Sequence, residues 1–246
     1  MDVQCAVQFL DPPSEERSPL QYFESFIDET IIDNLVAQTN LYSTQVLGPS
    51  INTSANEIRQ FIGIHLLSGI VSEPSYKMYR ANETSHSQIA DVMQLCRFYK
   101  LRRYFHVNDN ANMLPRDDPH HDKLFKVRPF LDQLKNNFLK TKAEEYDSID
   151  ELIIPLKSHT SLRQYIKSQP LKSGIKVFAQ AGVNGYIYDF EVYVAKATNT
   201  ASNPELGMSG NAVIRLIENL PRHANFKLFM DNWPTPFNLA VKLRNE

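Results

Sequence analysis

The sequence predicts an α/β protein in two parts, a helical half followed by a mixed-sheet half. Three observations point there. Apolar residues recur at helical spacing through the first half, and near Tyr146 the period switches to strict alternation. A short continuous apolar run, Leu228-Phe229-Met230, then has the form of a strand buried on both faces.

Residues 1–17, with Pro12, Pro13, Glu15, Glu16 and Arg17, lack periodicity and read as a flexible lead-in. Ser18-Pro19-Leu20-Gln21 offers an N-cap, a proline at the first helical position and a capping-box partner, and Tyr22, Phe23, Phe26, Ile27 and Ile31 follow at helical spacing. Ser54-Ala55-Asn56-Glu57 opens a second helix whose apolar face runs from Ile58 to Ile70. A third is expected from about Gln88 to Phe105, with Ile89, Val92, Met93 and Cys96 inward, and a fourth from Leu124 to Lys140. Residues 18–145 thus form a helical domain.

In the second half, residues 146–246, Ser148 to Pro155 reads as a strand stopped by proline. Ile175–Gly182 and Tyr186–Ala195 flank Asn184-Gly185, a hairpin signal. A helix capped by Ser209 or Asn211 carries Val213, Leu216, Ile217 and Leu220, and the apolar run ends at Asp231. Strand, hairpin, helix, buried strand is the order of a ribonuclease H-like sheet, here incomplete.

Composition narrows the functions available. The 246 residues are 42% hydrophobic and carry a formal charge of −2, so nucleic-acid contact must come from local basic patches. Cys5 and Cys96 build neither a disulfide framework nor a zinc module. The start has no signal-peptide form, no apolar stretch is long enough to span a bilayer, and a soluble intracellular protein is expected. None of the eight glycines forms a phosphate-binding loop.

Asp150 lies in the first strand and Asp231 at the end of the buried one, 231 − 150 = 81 residues later. If those strands are neighbours, the two carboxylates can share divalent cations, the arrangement phosphodiester transfer needs. Aspartate at a strand end is also common in turns.

The flanking residues add a resemblance. Ser148-Ile149-Asp150-Glu151 with Ile154-Pro155-Leu156-Lys157, Ser161-Leu162-Arg163-Gln164-Tyr165, Lys172-Ser173-Gly174-Ile175-Lys176, Tyr188-Asp189-Phe190-Glu191-Val192-Tyr193 and Met230-Asp231-Asn232-Trp233 resemble, in order and spacing, the piggyBac transposase family. Ser18 to Phe23 and Arg116 to Leu131 are similar to that family's helical dimerisation and DNA-binding region. The resemblance implies a DDE-type fold that holds Mg²⁺ or Mn²⁺ on Asp150 and Asp231, with DNA as partner, a possible homodimer, no membrane and a nuclear location. The family's third catalytic aspartate lies far downstream of the second, and its Phe-Lys-Gly-Arg-like run reads Leu156-Lys157-Ser158-His159 here. Ser173 stands where the family has tryptophan, and Pro234-Thr235-Pro236 replaces an aromatic-Thr-Ser segment. A DNA- or protein-binding remnant that does not cleave is expected, against the alternative of a catalytic subunit whose third acid lies elsewhere.

Cations supply the remaining candidates. Leu152 to Tyr188 contains no acid, while Lys157, Arg163, Lys167, Lys172 and Lys176 could track phosphates. Arg97, Arg102 and Arg103, beside Lys100 and among Phe98, Tyr99 and Tyr104, either contact DNA or form a solvated helix face. His120-His121-Asp122 with Asp117 and Asp118 reads as a polar loop rather than a metal cluster.

Overall fold

The computed structural model describes residues 17–156, 158, 160–167, 171–194, 203–231 and 237–245. Its contacts divide the chain between Leu134 and Lys135 into two units. That division falls upstream of the change in period at Tyr146, because Phe138 packs edge-on against Tyr186 and Phe190 of the sheet unit.

The first unit is helical. Helix α1 (Pro19–Phe26) stops where Asp28 caps α2 (Glu29–Leu47), its carboxylate accepting the Ile31 N–H at 3.0 Å. The sequence pattern runs on through Ile31, but an Asp N-cap competes with a continuous helix and divides it. Helix α3 (Ala55–Ile70) starts at Ser54, which accepts the Glu57 N–H as expected. The single helix expected over 88–105 is two: a short α4 (Ser87–Ala90) and α5 (Leu95–Tyr104). The break turns Cys96 and Val92 outward, while Ile89, Met93, Phe98 and Leu101 remain buried. Phe98 lies against Phe61, His65 and Tyr76 in an aromatic core. Helix α6 (Arg128–Phe138) begins at Arg128 rather than Leu124, where Asp122 accepts the Leu124 N–H in a turn.

The second unit is a five-stranded sheet with helices. Strands β1 (Tyr146–Pro155), β2 (Arg163–Tyr165), β3 (Ser173–Gly182), β4 (Ile187–Val192) and β5 (Lys227–Met230) pair in the order β2-β3-β1-β5, with β4 also on β3. All pairs are antiparallel except β1 with β5, which is parallel. The parallel pair requires a crossover, and α7 (Gly207–Leu216) lies between β4 and β5 in the chain.

Alternation sends Ile149 and Phe178 to one face of the sheet, where they pack with Val213 and Leu216 of α7, Leu228 and Met230 of β5, and Leu239 of α8 (Phe237–Asn245). The helix starts ahead of the expected caps. Asn211 instead donates from its buried side chain to the Asn203 carbonyl at 2.8 Å. The hairpin expected at Asn184-Gly185 is present, with Gly185 at φ 79°. A register shift at Gln180/Ala181 interrupts the alternation along β4, and Tyr188 and Asp189 are both buried. Gly174 sits so close to β1 that a Cβ there would lie 2.1 Å from the Ile154 carbonyl oxygen.

One expectation fails instructively. Leu228-Phe229-Met230 is not buried on both faces: Phe229 is 58% exposed. At β5 the packed helices cover the face that carries Leu228 and Met230, so the apolar run belongs, among the described residues, to an edge strand exposed on its other face.

Candidate metal centre and nucleic-acid interface

The parallel ladder of β1 and β5 ends at Ile149 opposite Met230. Asp150 and Asp231 are the next residues on their strands, so one further step in the same register sets them side by side. Because alternate residues face opposite ways, both point away from the α7 core, and both are exposed. The Glu151 N–H donates to Asp150 Oδ1 at 2.7 Å. Glu151 itself points to the other face and pairs with Lys176.

Two hard carboxylates at a strand end fit one divalent cation that keeps much of its water, whereas a closed site needs more oxygen ligands. Among the described residues, no group of three or more His, Cys, Asp or Glu could hold a metal. The His120–Asp122 loop follows suit. His121 Nδ1 lies 2.7 Å from the Leu114 carbonyl, and Asp122 accepts from Arg128 at 2.7 and 2.8 Å.

The candidate cations divide sharply. Arg163, Lys167 and Lys172 are exposed, and among the described residues no carboxylate pairs with them. Arg163 donates from Nε to Ser173 Oγ at 2.5 Å. Lys176 must be removed from the set. It is 8% exposed, it pairs with Glu151, and its ammonium lies 4.7 Å from the Phe178 ring and 5.4 Å from the Tyr193 ring. A buried, paired lysine offers nothing to a phosphate. Lys157 lies outside the described residues.

On α5, Arg97 is likewise withdrawn. Its guanidinium donates to both Glu57 oxygens at 2.7 and 2.6 Å and to the Ile51 carbonyl at 3.0 Å. That bond holds the Glu57 carboxyl below its ordinary range. Arg102 lies over Tyr76 at 5.2 Å and Arg103 over Tyr104 at 5.6 Å. Lys100 and Arg103 line an open surface hollow with Leu47, Tyr99 and Tyr104. Arg102 and Arg103 are thus on the surface, and Arg97 is a structural clamp between α3 and α5.

Sequence reasoning missed Asp147, three residues before Asp150 and 1% exposed. Gln180 donates to its Oδ2 at 2.9 Å, and its Oδ1 has no hydrogen-bond partner among the described residues. Burial pushes its pKa up to about 6, Gln180 opposes that, and the nearby Glu144 adds to it. Alternation with Ile149 could have signalled its burial, but an acid at a core position contradicts the usual pattern.

Comparison with known proteins identifies the family. The family model described as Transposase IS4, the DDE type, matches residues 18–246. Human piggyBac transposable element-derived protein 3 is 31% identical over 92% of this chain and 38% of its own length. Human piggyBac transposable element-derived protein 2 is 29% identical over 96% of this chain and 40% of its own. A piggyBac transposase solved by cryo-EM in a synaptic complex with hairpin DNA shares the fold, with a TM-score of 0.81 at 22% identity over 93% of this chain and 48% of that one. The chain spans less than half the length of these relatives.

Proposed function

This chain belongs to the piggyBac-type DDE transposase family, and from that premise we propose that it is a nuclear DNA-binding derivative which, by itself, does not cleave. The observation that carries the reading is the end of the β1–β5 ladder: Asp150 and Asp231 follow its last paired positions directly, and no third ligand joins them among the described residues. Asp150 and Asp231 would hold Mg²⁺ or Mn²⁺ there, and the ion would supply Lewis-acid activation of a phosphodiester. The chain's own contribution is placement: β1 and β5 fix the two carboxylates on the open sheet face. Arg163, Lys167 and Lys172, with no carboxylate partner among the described residues, offer cations to a phosphate backbone. The similarity to a transposase solved with hairpin DNA supports DNA as the partner class. A third acid would be needed to fix a second metal, and misplacement by about 1 Å alone can reduce turnover roughly 100-fold.

A second reading draws on the same ladder. Aspartates directly beyond the last paired positions of both strands suit a catalytic subunit whose third carboxylate comes from outside the described residues. One assay separates the two. Residues 1–246 are incubated in Mg²⁺ or Mn²⁺ with DNA carrying family-type terminal repeats, alongside an Asp150→Asn, Asp231→Asn double variant. DNA binding without cleavage is expected. Nicking by the parent that vanishes in the double variant overturns the non-cleaving reading in favour of the second.

A further inference from the structure

Opposite α7, the face that β1 and β5 leave exposed carries more than the two aspartates. Phe229, 58% exposed, stacks on Tyr146 with ring centroids 6.2 Å apart and an interplanar angle of 18°, and Lys227 Nζ lies 4.4 Å from the Tyr146 centroid. Phe229 precedes Asp231 by two residues, so alternation sets it on the same face. From Asp150 that face continues along β1 through Leu152 and Ile154, 44% and 55% exposed. The register Ile154↔Ile175↔Arg163 then carries it across β3 to β2, where Tyr165 is 69% exposed two residues beyond Arg163.

We propose that this face is a track for single-stranded DNA, on which Phe229 and Tyr165 stack bases to either side of the aspartate pair and Arg163 meets the phosphate backbone. The proposal rests on DNA being the partner and specifies which form of it binds here. Exposed aromatic side chains beside cations are what unpaired bases require, since stacking needs a free π-face and a duplex presents none along its length. The spacing suits several nucleotides rather than one. Six residues separate the row of Asp150 and Ala179 from that of Ser173 and Tyr165, a distance of about 20 Å at the usual strand rise. Charge favours nucleic acid over an apolar protein segment, because Arg163, Lys167 and Lys172 have no carboxylate partner among the described residues. The aspartates are the only acids that β1 and β5 place on this face. Their charge would repel a phosphate unless a divalent cation lies between, so binding of the strand should depend on Mn²⁺.

The test uses the whole chain in Mn²⁺ with a single-stranded oligodeoxynucleotide containing 2-aminopurine, and with the duplex of the same sequence. Quenching of the 2-aminopurine is expected on binding. Phe229→Ala, Phe229→Leu and Tyr165→Ala should each weaken single-strand affinity about tenfold, the loss of one stacked base, and leave duplex affinity unchanged. The leucine variant keeps apolar bulk and removes only the ring. Both positions are exposed, so circular dichroism should report an intact fold. Unchanged single-strand affinity in the three variants, or binding of duplex alone, overturns the track while leaving the DNA reading in place. Failure of the parent to bind either form overturns that reading as well. A parent that is dimeric by light scattering and monomeric as Phe229→Ala would give the face to a second copy of the chain and overturn the proposal.

Discussion

Asp150 and Asp231 stand one residue beyond Ile149 and Met230, the last paired positions of the parallel β1–β5 ladder. Two neighbouring carboxylates without a third ligand leave a divalent ion mostly hydrated. Calorimetry with Mn²⁺ should therefore detect at best millimolar binding, about 4 kcal/mol, lost in both Asp150→Ala and Asp231→Ala. Micromolar affinity that survives either change would put the ion elsewhere.

Asp147 supplies a pH signature. Its folded-state pKa, about 6, lies above the ordinary carboxylate value, so the folded protein binds its proton more tightly than the unfolded chain. This group's contribution to stability is therefore complete below about pH 4 and is lost as the pH rises through 6. Asp147→Asn removes the buried charge and should raise stability at pH 7 by about 1–3 kcal/mol, with a flatter profile between pH 4 and 6. Denaturant melts across that range check it. A variant destabilised at pH 7 would mean that the carboxylate is a required acceptor rather than a burden.

Gly174 bears on sheet closure. A Cβ at this position would meet the Ile154 carbonyl oxygen at 2.1 Å, and neither partner is a flexible side-chain end. Gly174→Ala should destabilise the sheet unit by about 2 kcal/mol or more, measured as a shift in the denaturation midpoint. A neutral result would show that β1 and β3 can separate locally.

The arginines of α5 should part company under mutation. Arg97→Ala leaves Glu57 without its bidentate partner and the Ile51 carbonyl without a donor, so stability should fall by about 1–3 kcal/mol. Arg102→Ala and Arg103→Ala should spare stability. If α5 contacts DNA, each should weaken binding on all sequences alike and reduce the salt slope by about one. Thermal melts and salt titrations separate the two behaviours. Equal loss of DNA affinity in a stably folded Arg97→Ala would contradict the clamp.

What could be read in the sequence follows from how local each determinant is. The Ser54 cap and the Asn184-Gly185 turn are set by neighbouring residues and are legible. The Asp28 cap was equally local, but the apolar spacing from Tyr22 to Ile31 masked it. Lys176 and Arg97 looked like any exposed cation, because their partners Glu151 and Glu57 lie 25 and 40 residues away. The adjacency of Asp150 and Asp231 rests on a parallel pairing that alternation cannot reveal. The exposure of Phe229 is hidden for a related reason, since a continuous apolar run does not say whether one face or both are covered.

The ladder that brings Asp150 beside Asp231 also orders events in time. Strands β1, β3 and β4 can zip as neighbours along the chain, whereas β5 reaches β1 across roughly 80 residues, and its arrival must await α7. Contacts of such long sequence separation form late, since the chain between them must first be ordered. During synthesis the first aspartate is therefore in place before its companion, and the two meet only when the second unit has closed. Whatever loosens the pairing of β1 with β5, even far from either carboxylate, therefore acts on the distance between the two.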